Sequence, residues 1–388
     1  MYGHTTLRDP APGQKYHRGR TRAARLPPHA AASSAGHVGW DSRQRSVTNE
    51  HYQTGRTFRE EGGAIEFDRL GKLNSPVAIA AFEGWNDAGE AASGVISHLG
   101  ISWQATPIAA IEPDDFYDFQ VTRPVVEING GQIERLVWPT TRLSVARAQA
   151  PGTAGKGTAS ANGSAGPEAG PDGDGEDEGD EETAPGTGLD KDIVLVHGIE
   201  PNMRWRAFTS ELVQGLVELG VESVILLGAL LADAPHTRPV PVSIGASDPK
   251  LSANVSAPFS DYKGPTGILG VVQHQLAQAG IPAVSLWASV PHYVATPPNP
   301  KAMLALLRGV EDILDAPLPL ADLAEEARAW ERGVDELAQQ DSEVAEYVRT
   351  LEEAKDATDL PQASGDAIAR EFERYLRRRG RRGEPGGL

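Results

Sequence analysis

Four short apolar runs constrain this chain more than anything else in it: "PVAIAAF" (76–82), "DIVLVHG" (192–198), "SVILLG" (223–228) and "AVSLWASV" (283–290). Each is too short for a buried helix and lacks polar alternation, the mark of a strand covered on both faces. Between them the apolar period becomes helical. Ala91, Val95 and Leu99 share one face after the first run, in a helix expected from Asp87 to Leu99. Trp205, Phe208, Leu212, Leu216 and Leu219 share a face after the second, closed by Gly220. Another helix is expected from about 266 to 279, ended by Gly280, and Asn299 with Pro300 reads as the cap and first residue of one reaching Leu314. Strands alternating with helices specify an α/β fold: a three-layer α/β/α sandwich around a mostly parallel sheet. "TPIAAIE" (106–112) and "VPVSIG" (240–245) add strands. "VVEINGGQIERLVW" (125–138) reads as a hairpin turning at Asn129, Gly130 and Gly131, expected to add antiparallel strands.

Composition decides how much of the chain joins that domain. Residues 1–60 hold ten Lys or Arg against four acids with no sustained apolar period, and read as a disordered basic arm. Residues 148–190 hold ten acids and one Lys with no aromatic residue, about half the formal net charge of −18, and read as an acidic disordered insertion. Residues 61–147 and 191–316 are then one α/β/α domain interrupted by that insertion. From 317 to 380 strand signals stop and amphipathic helices follow, on Leu323, Ala327, Trp330, Val334 and Leu337, on Val344, Val348 and Leu351, and on Ile368, Phe372 and Tyr375. Residues 381–388 are read as a tail. With no Cys, no apolar segment of signal-peptide form and no run long enough to span a bilayer, the expectation is a cytoplasmic protein without membrane contact. "RRRGRR" (377–382) and the basic arm lack interleaved aromatics and flank an acidic body, which argues against nucleic acid.

In open α/β sheets ligands gather beyond the carboxyl ends of the strands. There this sequence delivers Glu83, Trp85, Asn86 and Asp87 after the first run, and His197, Glu200 and Arg204 after the second. Asp233, His236 and Arg238 follow the third, and His292 the fourth. These eleven are the candidate ligand or interface rim. One reading has a carboxylate and a His share acid–base work with an Arg holding an anion; the other has the same groups satisfy loops and one another through ion pairs. No nucleophile elbow, no phosphate loop and no paired-His zinc motif is present, so neither cofactor nor metal is expected. "GPTGILG" (264–270) offers either an anion site at a helix start or close helix packing. Asp87 is expected to cap the helix that follows it, and Trp85, Trp205 and Trp287 to pack in the core. Glu83 and Asn86 have no architectural reason to be there and are the best candidates for a ligand or interface role.

Several stretches together resemble the proteasome assembly chaperone type-two family in its long actinobacterial branch. They are "FEGWNDAGEAA", "DDFYDFQVTRP" (114–124), "HGIEPNMRWRAF" (197–208), "GALLADAPHTRPVPV" (228–242), "YKGPTGILGVVQH" (262–274), "SLWASVPHYVATPPNPKA" (285–302) and "SGDAIAREFERYLRRR". The resemblance implies a sandwich similar to the purine nucleoside phosphorylase-like fold, self-association into a homo-oligomer, with a trimer as the working expectation, and binding of protein subunits, proteasome-related ones among them. It implies no known reaction. The final "RRGEPGGL" lacks the hydrophobic–Tyr ending by which some relatives dock on the proteasome ring. The favoured expectation is therefore a non-enzymatic, chaperone-like module. The alternative is a hydrolase or phosphorylase-like enzyme using the rim.

Overall fold

The computed structural model describes residues 71–148, 187–246 and 262–359. The apolar runs form the strands expected of them: β1 (Val77–Glu83), β6 (Ile193–Ile199), β7 (Ser223–Ala232) and β9 (Ala283–Pro291) are mutually parallel in the order β6-β1-β7-β9. Antiparallel strands flank this centre, β2 (Thr106–Ile111) and β5 (Thr141–Ala146) on one side and β8 (Val242–Ala246) on the other. The result is a seven-stranded mixed sheet of order β2-β5-β6-β1-β7-β9-β8.

Side-chain alternation divides the core in two. Val77, Ile79 and Ala81 of β1 face α1 (Ala91–Ser102), α4 (Pro300–Leu314) and the start of α5 (Leu323–Gln340). Ala78, Ala80 and Phe82 face α2 (Trp205–Glu218) and α3 (Ile268–Gln278). There Phe208 meets Phe82 and Phe116 edge-on, with ring centroids 5.9 and 5.4 Å apart, a geometry that adds about 1 kcal/mol per pair to burial. Two helical layers on one sheet is the three-layer α/β/α arrangement.

The helix starts are settled locally. A single 3-10 turn (Ala88–Glu90) precedes α1, so the helix begins later than the apolar period suggests. Asn299 caps α4 by accepting the Ala302 N–H at 3.0 Å, with Pro300 in the first turn. After α4, α5 and α6 (Ser342–Asp359) form a helical pair; the helix read on Ile368, Phe372 and Tyr375 lies outside the described residues, as do the basic arm and most of the acidic insertion.

Two strand expectations need correction. "TRLSVA" (141–146) is β5, bonded between β2 and β6. The hairpin strands β3 (Val125–Asn129) and β4 (Gln132–Val137) pair only with each other, as a second, two-stranded sheet.

Candidate functional site

The rim does not form one constellation. It divides into a crevice at β1 and β6 and a fastening at β7 and β9.

The crevice lies where the sheet's connections part. The chain leaves β1 for α1 on one face and leaves the neighbouring β6 for α2 on the other, the topological arrangement that opens a ligand crevice in α/β sheets. Asn86 is 1% exposed and donates through Nδ2 to Glu200 Oε1 at 2.9 Å. The same Glu200 oxygen accepts the N–H of Ile268, first residue of α3, at 2.8 Å. The anion at the "GPTG" helix start is thus the protein's own carboxylate, which suits the partial positive charge there. Gly267 makes this approach possible: a Cβ on it would lie 2.3 Å from Asn86 Oδ1. Asn86 and Glu200 therefore have an architectural task, tying the β1 corner to β6 and α3.

Asp87 caps α1 as expected. It accepts the N–H groups of Ala92 and Ser93 at 2.7 and 3.3 Å, and the Ser93 hydroxyl. Burial pushes its carboxyl above the ordinary value despite those donors. Glu83 and His197 remain more open. Glu83 Oε1 stands 3.2 Å from His197 Nε2, out of line for a hydrogen bond, and Nε2 has no hydrogen-bond partner among the described residues. Asn86 Oδ1 is likewise buried and unpartnered. Arg204 pairs with Asp115 and lies 5.7 Å over the Phe116 ring, on the outer side of the crevice.

Trp85 corrects the expectation of core packing: it is 61% exposed. The corner is closed beneath it by the Asn86 carbonyl, which accepts the Ala229 N–H at 2.8 Å, so no room is left for an indole inside. Trp205 and Trp287 do pack against the core.

The residues after β7 and β9 meet the C-terminal helices. His236, 2% exposed, sits between the Tyr293 hydroxyl (2.7 Å from Nδ1) and Asp335 of α5 (3.0 Å from Nε2). Tyr293 also accepts the His236 backbone N–H at 2.8 Å, and burial pushes its hydroxyl up to about 12. A neutral imidazole that accepts from Tyr293 and donates to Asp335 satisfies every group. Arg238 grips Asp356 of α6 with two hydrogen bonds of 2.9 and 2.8 Å and reaches Glu352 at 3.1 Å. That fork holds the Asp356 carboxyl below its ordinary value. Asp233 and His292 converge on the Tyr347 hydroxyl at 3.0 and 2.9 Å, with the His292 and Tyr347 rings stacked. Lys301 completes the fastening with Glu331 at 2.9 Å.

Asp233, His236, Arg238 and His292 are thus employed in holding α5 and α6. Tyr293, Lys301, Asp335, Tyr347, Glu352 and Asp356 belong to the same fastening and were not singled out from sequence. "PHYV" and the acidic outer faces of the two helices were the signals on offer. Tyr117 was also missed: its hydroxyl donates to the Ile199 carbonyl at 2.7 Å beneath the crevice, and burial pushes it up to about 12. Among the described residues no group of three or more His, Asp or Glu is placed to hold a metal ion. A cavity of about 400 Å³ lies at the opposite, amino end of β1 and β7, lined by Lys72, Leu73, Asn74, Glu218 and Glu222, away from every rim residue.

Comparison with known proteins places this geometry. No curated protein matches the chain. Among solved structures, a PAC2 family protein from Streptomyces avermitilis is 50% identical over 70% of this chain and 99% of its own, with a TM-score of 0.57. A proteasome-assembly chaperone homologue from Mycobacterium tuberculosis is 47% identical over 70% of this chain and 99% of its own, also at 0.57. A further M. tuberculosis protein of unknown function shares the fold at 24% identity, 78% and 92% coverage and a TM-score of 0.61. The PAC2 family model matches residues 81–338, from the β1 corner through the fastening to α5, and the chain belongs to the PAC2 family.

Proposed function

We propose that this chain is a non-enzymatic, chaperone-like module of the cytoplasm that works as a homo-oligomer and binds protein subunits, proteasome subunits first among them. The observation that carries this reading is the 47% identity to the mycobacterial proteasome-assembly chaperone homologue across nearly all of that protein. The geometry is in keeping with it. Most ionisable rim groups are engaged inside the molecule, whereas Trp85, Met203, Leu230 and Leu231 at the carboxyl ends of the strands are exposed. Exposed apolar side chains rimmed by charge suit a protein partner, and Trp is the residue type most often dominant in binding energy.

The test is native mass spectrometry of the purified protein with separately purified proteasome α and β subunits from the same organism. A stable complex is expected, weakened about tenfold or more by Trp85→Ala, since truncating a dominant anchor costs about 2 kcal/mol or more. No complex with either subunit type would overturn the reading.

A second reading, an enzyme at the crevice, is favoured by one observation: Glu83 and His197 face each other half-buried at the topological switch point, with an unpartnered Nε2. Turnover of a metabolite pool that disappears in His197→Ala would establish it.

A further inference from the structure

The β3–β4 hairpin inverts the usual order of a surface ribbon. Its register pairs Val125 with Val137, Val126 with Leu136 and Glu127 with Arg135; a bulge at Glu134 then brings Ile128 opposite Ile133. One face therefore carries Val126, Ile128, Ile133 and Leu136, four aliphatic side chains and nothing else. They are 44%, 65%, 69% and 44% exposed. The other face carries the Glu127–Arg135 ion pair, whose Arg135 side chain is only 13% exposed. A ribbon with one face in water ordinarily shows the opposite pattern, polar outward and apolar inward.

A lone two-stranded ribbon is at best marginally stable, and this one gains nothing from its apolar face as it stands. Val121 and Trp138, at its root, are exposed as well, with Trp138 edge-on to Phe119 at 4.8 Å. The exposed apolar surface is on the order of several hundred Å², above what a monomer commonly leaves open and approaching the roughly 800 Å² that one partner brings to a standard interface.

Charge points to the occupant. The chain carries a formal −18, so two copies repel wherever acidic surfaces meet. The hairpin region is an exception: Arg123 and Arg135 balance Glu127 and Glu134. A locally neutral, all-aliphatic face allows two acidic copies to touch without opposing like charges. A twofold axis through it would set each aliphatic residue against its own equivalents, the self-complementary arrangement of an isologous contact.

We propose that this face of the β3–β4 hairpin is a twofold interface between two copies of the chain. It rests on the self-association proposed above, and names the surface and the symmetry. Two hairpins packed face to face, about 10 Å apart as sheets pack, would interleave eight aliphatic side chains.

The experiment is the native mass of the wild-type protein and of Ile128→Glu/Ile133→Glu, both changes lying on the exposed face. The wild type is expected to have an even number of copies and the variant half that number, with an unchanged thermal midpoint for the domain. A wild-type oligomer that the variant leaves intact overturns the hairpin interface while self-association stands. A trimer, dissolved or not by the variant, overturns the twofold. A wild-type monomer at every concentration overturns both readings. Should the variant fold poorly, the chain's lack of Cys provides a second arm: Ile128→Cys and Ile133→Cys, each introduced alone, place a single thiol per copy. Only an intermolecular bridge can then form, and a short bis-maleimide is expected to yield covalent dimers at these positions. Monomer alone in both cases overturns the interface.

Discussion

Asp87→Ala is the perturbation whose cost the structure defines best. Asp87 accepts two backbone N–H groups at the start of α1, at 2.7 and 3.3 Å, together with the Ser93 hydroxyl, and the site is closed to water. Losing a capping acceptor costs about 0.5–2 kcal/mol. A buried donor left without a partner adds about 1–3 kcal/mol. Together about 3 kcal/mol is expected, a large fraction of ordinary domain stability. Asp87→Asn retains an oxygen for the Ala92 N–H, and the Ser93 hydroxyl can turn to accept from the new amide, so about 1 kcal/mol is expected. The two also differ in pH dependence. Burial raises the folded-state pKa of Asp87 above its model value of 3.8. The folded protein therefore holds this proton more tightly than the unfolded chain, and the associated stability is fully present below about pH 4 and lost as pH rises through the raised value. Asn does not titrate, so the stability of the wild type relative to Asp87→Asn should increase as pH falls. Urea unfolding at a series of pH values measures both effects. An Asp87→Ala protein within about 0.5 kcal/mol of wild type, too small for any lost cap, would refute the capping argument. A difference from Asp87→Asn that grows with rising pH would refute the assignment of the shift.

His236→Ala removes a buried ring that joins Tyr293 to Asp335, and should cost about 2–4 kcal/mol from lost packing and an unpartnered carboxylate. Amide exchange should rise in α5 and α6 before it rises in α1; uniform exchange would mean that the helices are not held there. Gly198→Ala puts a Cβ 2.7 Å from the Thr141 backbone, where β5 and β6 cannot separate without breaking their ladder. It should lower stability by about 1–3 kcal/mol, measured as a urea midpoint shift at unchanged slope.

The central strands were legible because a strand buried on both faces must be apolar throughout. β5 was not, because Thr141 and Arg142 interrupt its apolar character at the end where the Thr141 hydroxyl meets Tyr117. Local caps could also be read: Asp87 and Asn299 act within six residues of themselves. The fate of the rim could not. Whether His236 and Arg238 stand open or are engaged is decided by Asp335 and Asp356, 99 and 118 residues further on. No local period encodes such partners. Trp85 was misjudged because average burial of Trp is a rule about area; here the corner beneath it is filled by backbone hydrogen bonding. The hairpin could be recognised by its turn, but the face it would show to water depended on a one-residue bulge.

The fastening of α5 and α6 shows what the ionisable groups at β7 and β9 contribute. Its ion pairs involve partly exposed side chains, and pairs of that kind are commonly worth less than about 1 kcal/mol each. They cannot supply most of the attraction. That falls to Leu323 and Ala327, buried in the main core, and to Val334, Ala338, Val348 and Leu351, buried along the helical pair. Aliphatic contacts of this kind tolerate sliding by a turn, whereas the two-pronged Arg238–Asp356 contact and the His236–Tyr293 contact do not. The polar groups therefore determine where the helices sit, and the apolar stripe determines that they stay. With those groups so engaged, the Glu83–His197 pair at the switch point and the exposed Trp85 beside it remain the part of the rim still open to a partner.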